Sequence, residues 1–328
     1  MIEKTVRLDL PSVGPVLHRT LLRSGLAHVC VILATTFAML AAGTAQADDM
    51  ILRPSSSWTI IRSPEMCTLG RSFGSGENEV VLQFQQAEPS AYLQAAMLGQ
   101  PLKRVSPRQG VTFDPKKFAV VFGPAFEPSD VGFRSYSTDG GSRATFFTAR
   151  IDPAVEPLQT AADSGFLTGP WSWDDFATER MEAVSWLSVH RGGRDRLTLQ
   201  FDDFSAAIGL LDKCMEQLID SWGVDVAVHR AGLSRRASIS NSGDMLRAFE
   251  LDQRTDSIRW VDYRLIVSAT GEVEGCAVLD GVNDEAERER ICAILTESAQ
   301  VEPALGADGT PVKSFIRTIA AIQVTNFY

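Results

Sequence analysis

Four cysteines constrain the fold of this chain more than any other feature, because each disulfide would hold two distant segments together. Cys67, Cys214, Cys276 and Cys292 all lie beyond residue 47, and a fifth cysteine precedes it. An even number of cysteines in an oxidising compartment indicates disulfides. Four cysteines allow three pairings, and buried unpaired thiols are the alternative to all of them. Whether these cysteines form disulfides, and in which pairing, therefore depends on the compartment and on the domain layout.

The amino-terminal residues indicate export. Four basic residues precede the apolar run at 29–42, which is too short to span a bilayer comfortably. Ala45-Gln46-Ala47 then matches the small-x-small pattern of a signal-peptide cleavage site. We predict a signal peptide over residues 1–47, with cleavage after Ala47, and an uncleaved anchor is the alternative. Export favours disulfides in the mature chain.

The charge balance excludes whole classes of partner. The chain has 31 Lys and Arg against 41 Asp and Glu, a formal net charge of -10. Such a surface lacks the positive field that duplex DNA or an anionic bilayer needs. We expect no nucleic-acid partner and, once the leader is removed, no membrane association.

Short runs of β-branched and aromatic residues dominate the region after the leader. They occupy residues 58–62, 67–73, 80–85, 118–122 and 144–151. Gly74-Ser75-Gly76 predicts a hairpin turn between two of these runs, and residues 184–190 and 196–201 predict another hairpin. A short helix is predicted over residues 174–183. The first region is therefore mostly strand.

One long amphipathic helix follows Asp202-Asp203, whose side chains are expected to cap its amino terminus. Apolar residues then recur at helical spacing, and Gly223 is the expected end. The apolar positions are Phe204, Ile208, Leu211, Met215, Leu218 and Trp222. Cys214 lies on the same broad side, so the helix can be tied to the strands through Cys67. These patterns predict a β-rich domain closed by one helix.

The polar stretch at 234–243 predicts an exposed linker. We therefore divide the mature chain into a β-rich domain at 48–230, a linker at 231–247 and a small carboxy-terminal domain at 248–328, an α+β protein overall. Pairing Cys67 with Cys214 and Cys276 with Cys292 keeps each disulfide within one domain, and we favour that pairing.

The carboxy-terminal region has the order β-β-α-β. Residues 258–267 and 272–279 predict a hairpin around the turn Ala269-Thr270-Gly271. Asn283-Asp284 then caps a helix that ends near Gln300. After a second turn, residues 312–324 predict one long final strand.

This succession resembles the C-terminal domain of the TonB family of periplasmic energy transducers over about residues 258–324. The matching features are the strand-turn-strand at 265–273, Cys276, the helix with Cys292, Glu302-Pro303-Ala304 and Asp308-Gly309-Thr310-Pro311-Val312. The resemblance implies a periplasmic location and a small sheet that binds partners by adding a strand at an exposed edge. An envelope protein is then the expected partner. The predicted edge strand carries Val312, Ser314, Phe315, Arg317 and Ile319.

The sequence lacks two features of a true TonB transducer, an uncleaved membrane helix and a long Pro-rich spacer. The leader is of the cleavable kind, and the 15 prolines are scattered instead of forming a long spacer. We therefore predict a soluble periplasmic binding or adaptor protein of the cell envelope. A membrane-anchored TonB-type energy transducer for outer-membrane transport is the alternative.

No motif in the chain predicts catalysis. The mature chain has two imidazoles, His190 and His229, neither in a triad or metal-ligand pattern. Helix capping explains the aspartate pairs, so we expect no catalytic residue, no cofactor and no metal. An envelope hydrolase with unrecognised carboxylates is the second alternative. The aromatic cluster Trp171, Trp173 and Phe176 predicts a ligand groove, with buried packing as its alternative.

Overall fold

Strands that alternate between a buried and a more exposed face build most of the structure. A computed structural model describes residues 49–89, 92–106, 110–112, 118–124, 133–138, 140–150, 159–160, 167–168, 181–191, 195–248 and 257–324. Strands β3 (Cys67–Phe73) and β4 (Val80–Gln86) show the alternation along their whole length. Such alternation places one strand face against a core. Strands in several sheets, with five α-helices among the described residues, make this an α+β protein.

The largest sheet is antiparallel and has seven strands. Its order is β2-β3-β4-β5-β9-β8-β6. Besides β3 and β4, its strands are β2 (Thr59–Arg62), β5 (Tyr92–Gly99), β6 (Gly110–Thr112), β8 (Phe133–Ser137) and β9 (Arg143–Arg150). The predicted turn at Gly74 joins β3 to β4, where Gly74 adopts a φ of 73°.

A second sheet has the order β1-β13-β12-β7. Its strands are β1 (Asp49–Leu52), β7 (Ala119–Gly123), β12 (Trp186–Arg191) and β13 (Asp195–Gln200). Strand β1 runs parallel to β13, whereas the other pairs are antiparallel. The antiparallel pair of β12 and β13 confirms the strand pairing that we predicted for this hairpin.

One helix closes the first core. Helix α1 (Leu102–Val105) is short, whereas α2 (Phe204–Ser221) spans 18 residues and buries the predicted apolar stripe from Phe204 to Leu218, with the half-buried Trp222 at its C-cap. Phe204, Leu211 and Leu218 pack in one cluster with the buried residues of β3 and β4. Cys67 of β3 is bonded to Cys214 of α2, as we predicted, with their Cα atoms 6.1 Å apart.

The carboxy-terminal sheet has three strands in the order β17-β16-β21. They are β16 (Ser257–Val267), β17 (Val273–Asp280) and β21 (Ser314–Val324), and the helices of this region are α3 (Val226–Arg230), α4 (Ser242–Ala248) and α5 (Glu285–Ser298). Gly271 forms the turn between β16 and β17 with a φ of 89°. A Cβ atom there would lie 2.5 Å from the Val301 carbonyl oxygen, so only glycine fits.

A second core lies between this sheet and helices α4 and α5. It buries Met245, Val261, Tyr263, Leu265, Val267, Val278, Val282, Ile291 and Leu295. The second predicted disulfide joins Cys276 of β17 to Cys292 of α5, with a Cα–Cα distance of 5.5 Å. The Asp284 side chain accepts a hydrogen bond from the Glu287 backbone N–H, which confirms the predicted cap of α5.

Short strands complete the described chain. They are β10 (Gln159–Thr160), β11 (Leu167–Thr168), β14 (Leu233–Arg235), β15 (Ser238–Ile239), β18 (Val301–Glu302), β19 (Ala304–Gly306) and β20 (Pro311–Val312). Strand β14 pairs with β19, and β15 pairs with β18. The stretch for which we predicted a linker, residues 231–247, thus contains two paired strands and most of α4. The proposed signal peptide at residues 1–47 lies outside the described residues.

Candidate functional site

Strand β21 lies at one edge of the three-stranded sheet. It pairs with β16 along its whole length, from Ser314 opposite Val267 to Val324 opposite Ser257. Within the described ranges no strand pairs with the other side of β21, although β11 approaches it to within 8 Å between Cα atoms. The outer edge of β21 therefore presents backbone groups for which the described strands supply no ladder partner.

The predicted edge residues fall into two strands. Ser314, Phe315, Arg317 and Ile319 belong to β21, whereas Val312 belongs to β20 and pairs with Ala304. The predicted continuous final strand is therefore interrupted at Lys313, whose Nζ lies 2.7 Å from Glu274 Oε2. The edge that a partner could meet begins at Ser314.

The side chains of β16 and β21 separate onto two faces. The apolar face carries Val261, Tyr263, Leu265, Val267 and Ile316, and packs against the second core. The opposite face, here called the charged face, carries Asp262, Arg264, Phe315, Arg317 and Ile319. Phe315 of that face packs against the first core. The charged face is therefore where the carboxy-terminal sheet meets the first part of the chain.

An ion cluster occupies this junction. Arg317 holds Asp262 with two hydrogen bonds, Nε to Oδ1 at 2.9 Å and Nη2 to Oδ2 at 2.5 Å. Its Nη1 donates to Glu88 Oε1 at 3.3 Å. The side chains of Arg317, Asp262 and Glu88 are only 8%, 7% and 3% exposed. Buried charges in such a cluster depend on one another for compensation.

Glu88 reaches the cluster from the first part of the chain. It follows β4, and residues 86–89 are all buried. Burial raises the pKa of Glu88 to about 7. The positive charge of Arg317 opposes this rise, whereas the negative charge of Asp262 adds to it. Burial alone would lower the pKa of Arg317, but the charges of Asp262 and Glu88 raise it, so the guanidinium stays protonated. Glu88 is therefore the member of the cluster that exchanges a proton near neutral pH.

A second arginine crosses the same junction. Arg264 Nη1 donates to the Glu65 carbonyl oxygen at 2.9 Å, and its guanidinium lies 3.8 Å from the ring centroid of Trp222. Burial lowers the pKa of Arg264 to about 10, which leaves it charged at neutral pH. The turn between β2 and β3 and the end of α2 are thus both held against β16.

Aromatic residues continue this contact. Phe315 packs edge-on against Trp222 with ring centroids 5.4 Å apart, and stacks on His229 at 5.6 Å. Burial lowers the pKa of His229. His190 lies on β12, opposite Arg196 and Ala119, and burial lowers its pKa as well. The two imidazoles are therefore separate packing residues rather than members of one site.

The Asp202-Asp203 pair has a different role from the one predicted. Asp203 occupies the N-cap position of α2 but makes no side-chain cap hydrogen bond. Both carboxylates instead bind Arg71, at 2.5 Å from Asp202 and 3.2 Å from Asp203, and Asp203 also accepts from Trp58 Nε1. The Arg71 hydrogen bond lowers the pKa of Asp202. The pair was predicted as a cap because sequence alone does not show a buried arginine 131 residues away.

Several of the predicted residues lie outside the part of the chain that the structure describes. Trp171, Trp173 and Phe176, the predicted ligand groove, lie outside the described residues, as does most of the helix predicted at 174–183. Gly74 and Gly76 belong to the turn predicted after β3, whereas Gly70, for which we also expected a turn, lies within that strand. Over the described ranges, no three residues among His, Cys, Asp and Glu are placed to hold a metal ion.

The ion cluster was missed by sequence reasoning. Its signal was the presence of Asp262 and Arg264 at alternate positions of β16, a strand that is otherwise mostly apolar. Charges at alternate positions of a strand usually face water, so this signal favoured a solvent-exposed face. Glu88 gave no signal, because it lies in a short segment between strands.

Comparisons with known proteins leave the chain without an assigned family. No family model, no curated protein and no solved structure matches it. The TonB resemblance therefore depends on the residues quoted for it above. None of the helices described here is long and apolar enough to cross a membrane.

Proposed function

We propose that this protein is a soluble periplasmic binding or adaptor protein, and that it contacts another envelope protein through the outer edge of β21 without catalysing a reaction. The observation that carries the proposal is the position of β21, an 11-residue strand at the edge of its sheet. Long edge strands are usually blocked in proteins, because their unpaired N–H and C=O groups pair with any extended chain.

Other features support this proposal. The β-β-α-β succession of β16, β17, α5 and β21 is the order that the TonB resemblance implies, with short strands inserted before β21. The two disulfides suit an exported protein. In this proposal residues 48–230 form one domain and residues 248–328 the partner-binding domain, whose fold is that of the TonB C-terminal domain.

Strand addition predicts a specific pattern of proline sensitivity. Consecutive residues of an antiparallel strand direct their N–H groups to opposite edges. Of the variants Thr318→Pro and Ile319→Pro, one therefore loses a hydrogen bond to β16 and the other loses an outward donor. Arg317 is unsuitable for this test because its side chain belongs to the ion cluster.

The experiment uses the exported full-length chain as bait in a periplasmic extract. We expect one of the two variants to fold with an unchanged melting temperature and to lose the captured partner. Glu77→Pro, in the exposed turn between β3 and β4, is the control that should keep the partner. Retention of the partner by both β21 variants would contradict the proposal.

The membrane-anchored alternative has its own test. Mass spectrometry of the exported protein should find Asp48 at the amino terminus. A mature protein that keeps residues 1–47 would favour the anchored transducer instead.

A further inference from the structure

Two carboxylates share one arginine at the junction between the segment after β4 and the carboxy-terminal sheet. Asp262 binds Nε and Nη2 of Arg317, and Glu88 binds Nη1 of the same guanidinium, at 3.3 Å. That bond is the one side-chain hydrogen bond of Glu88 within the described residues. An ionised carboxylate that is 3% exposed and holds one long hydrogen bond is poorly compensated.

We propose that proton binding at Glu88 controls this contact: the segment after β4 docks on the charged face when Glu88 is protonated, and the contact loosens when Glu88 ionises. The geometry of the cluster explains this effect. Arg317, which is shared with Asp262, compensates an ionised Glu88 poorly, whereas a neutral Glu88 carboxyl group needs little compensation. The inference goes beyond the proposed function and does not depend on a partner at β21.

The charges around Glu88 come from several elements. Arg317 of β21 and Asp262 and Arg264 of β16 face it from the sheet, and Arg236 faces it from the segment between β14 and β15. Glu65, in the turn between β2 and β3, acts on Arg264. Asp262 is the carboxylate that opposes ionisation of Glu88, whereas Arg317 and Arg236 favour it.

The direction of the pH effect follows from the raised pKa. Glu88 titrates at about 7 when docked and at its ordinary value of 4.5 when released into water. A carboxyl group whose pKa is raised in the docked state stabilises docking at low pH, and this contribution is lost as pH rises to about 7. Docking should therefore be tightest in acid and weakest above neutral pH.

Amide hydrogen exchange measures the contact directly in the exported full-length chain. Exchange of β21 and of residues 86–89, corrected for the pH dependence of the chemical step, should accelerate by about 10- to 100-fold from pH 5 to pH 8. Glu88→Gln keeps a neutral group at every pH, so its exchange should stay slow and lose this acceleration. His229 is common to both proteins, so its titration cancels in the comparison.

Two further variants keep the test decisive. Glu77→Gln, at an exposed glutamate of the β3–β4 turn, should follow the wild-type profile. Asp262→Asn removes the charge that opposes ionisation of Glu88, so its transition should move to lower pH. A wild-type profile that is flat between pH 5 and pH 8, or a Glu88→Gln profile that matches wild type, would overturn the proposal whether or not β21 binds a partner.

Discussion

The two faces of the carboxy-terminal sheet bury opposite kinds of chemistry. The apolar face packs Val261, Tyr263 and Leu265 against helices α4 and α5. The charged face buries Asp262, Arg264 and the side chain of Arg317 against the first part of the chain. Both faces come from the same two strands, because neighbouring residues of a strand point to opposite sides.

This difference shows how one sheet can be both a fixed core and an adjustable junction. Apolar burial is non-directional and does not change with pH, so the apolar face holds its helices under all conditions. Buried ion pairs depend on geometry and on the protonation of each member. The charged face should therefore respond to pH and to single substitutions in ways that the apolar face does not.

The largest effect is expected on the charged face. Arg317→Met leaves Asp262 and Glu88 buried without their shared cation and should lower the free energy of unfolding by about 3–5 kcal/mol. Urea unfolding at pH 7 measures the loss. The matched control is Arg288→Met, which removes an exposed ion pair with Glu285 on α5 and should cost under about 1 kcal/mol. Equal costs for the two variants would remove the distinction between buried and surface pairs.

A truncation on the apolar face should cost slightly less. Leu265→Ala leaves a cavity in the second core and should lower the free energy of unfolding by about 2–4 kcal/mol. The cost should be the same at pH 5 and pH 8, because no charge is involved. Ile61→Ala, at an exposed position of β2, is the control with almost no effect. A strongly pH-dependent cost for Leu265→Ala would contradict the separation of the faces.

A smaller effect is expected where Arg264 stacks on Trp222. A double-mutant cycle of Arg264→Lys and Trp222→Leu should give a coupling energy of about 0.5–2 kcal/mol, because lysine keeps the charge but loses the planar contact. Thermal or urea unfolding of the four proteins provides the cycle. Strictly additive effects would mean that the stacking does not stabilise the junction.

The smallest effect is expected from His229, with a sign opposite to that of Glu88. Burial lowers the pKa of His229, so the folded protein resists its protonation and stability should fall as pH drops below 6.5. The variant His229→Gln should lose this component while keeping a polar group beside Lys313. Unfolding midpoints between pH 5 and pH 7 measure it, and an unchanged acid limb in the variant would argue against this assignment.

The sequence predicted those elements correctly whose local pattern also determines their packing in the structure. The stripe of α2 repeats at helical spacing over 18 residues, and the hairpin signals of β16 and β17 are equally regular. The disulfides followed from the domain division, and both are present.

The failures have a common physical cause. Strand β5 was missed because its sequence YLQAAMLG is rich in good helix formers, and pairing with β4 and β9 overrides that preference. Glu88 and Arg317 are 229 residues apart, so no local sequence pattern predicts their contact. Burial of the charged face is a tertiary property that the periodicity of β16 alone does not reveal.

Photo-cross-linking in living cells shows whether another protein contacts the outer edge of β21, as we propose. A photoreactive amino acid placed at Ile319 should give a discrete covalent adduct on irradiation, whereas the same amino acid at Glu77 should give none. Absence of an adduct at Ile319, or an identical adduct at Glu77, would contradict partner binding at the outer edge of β21.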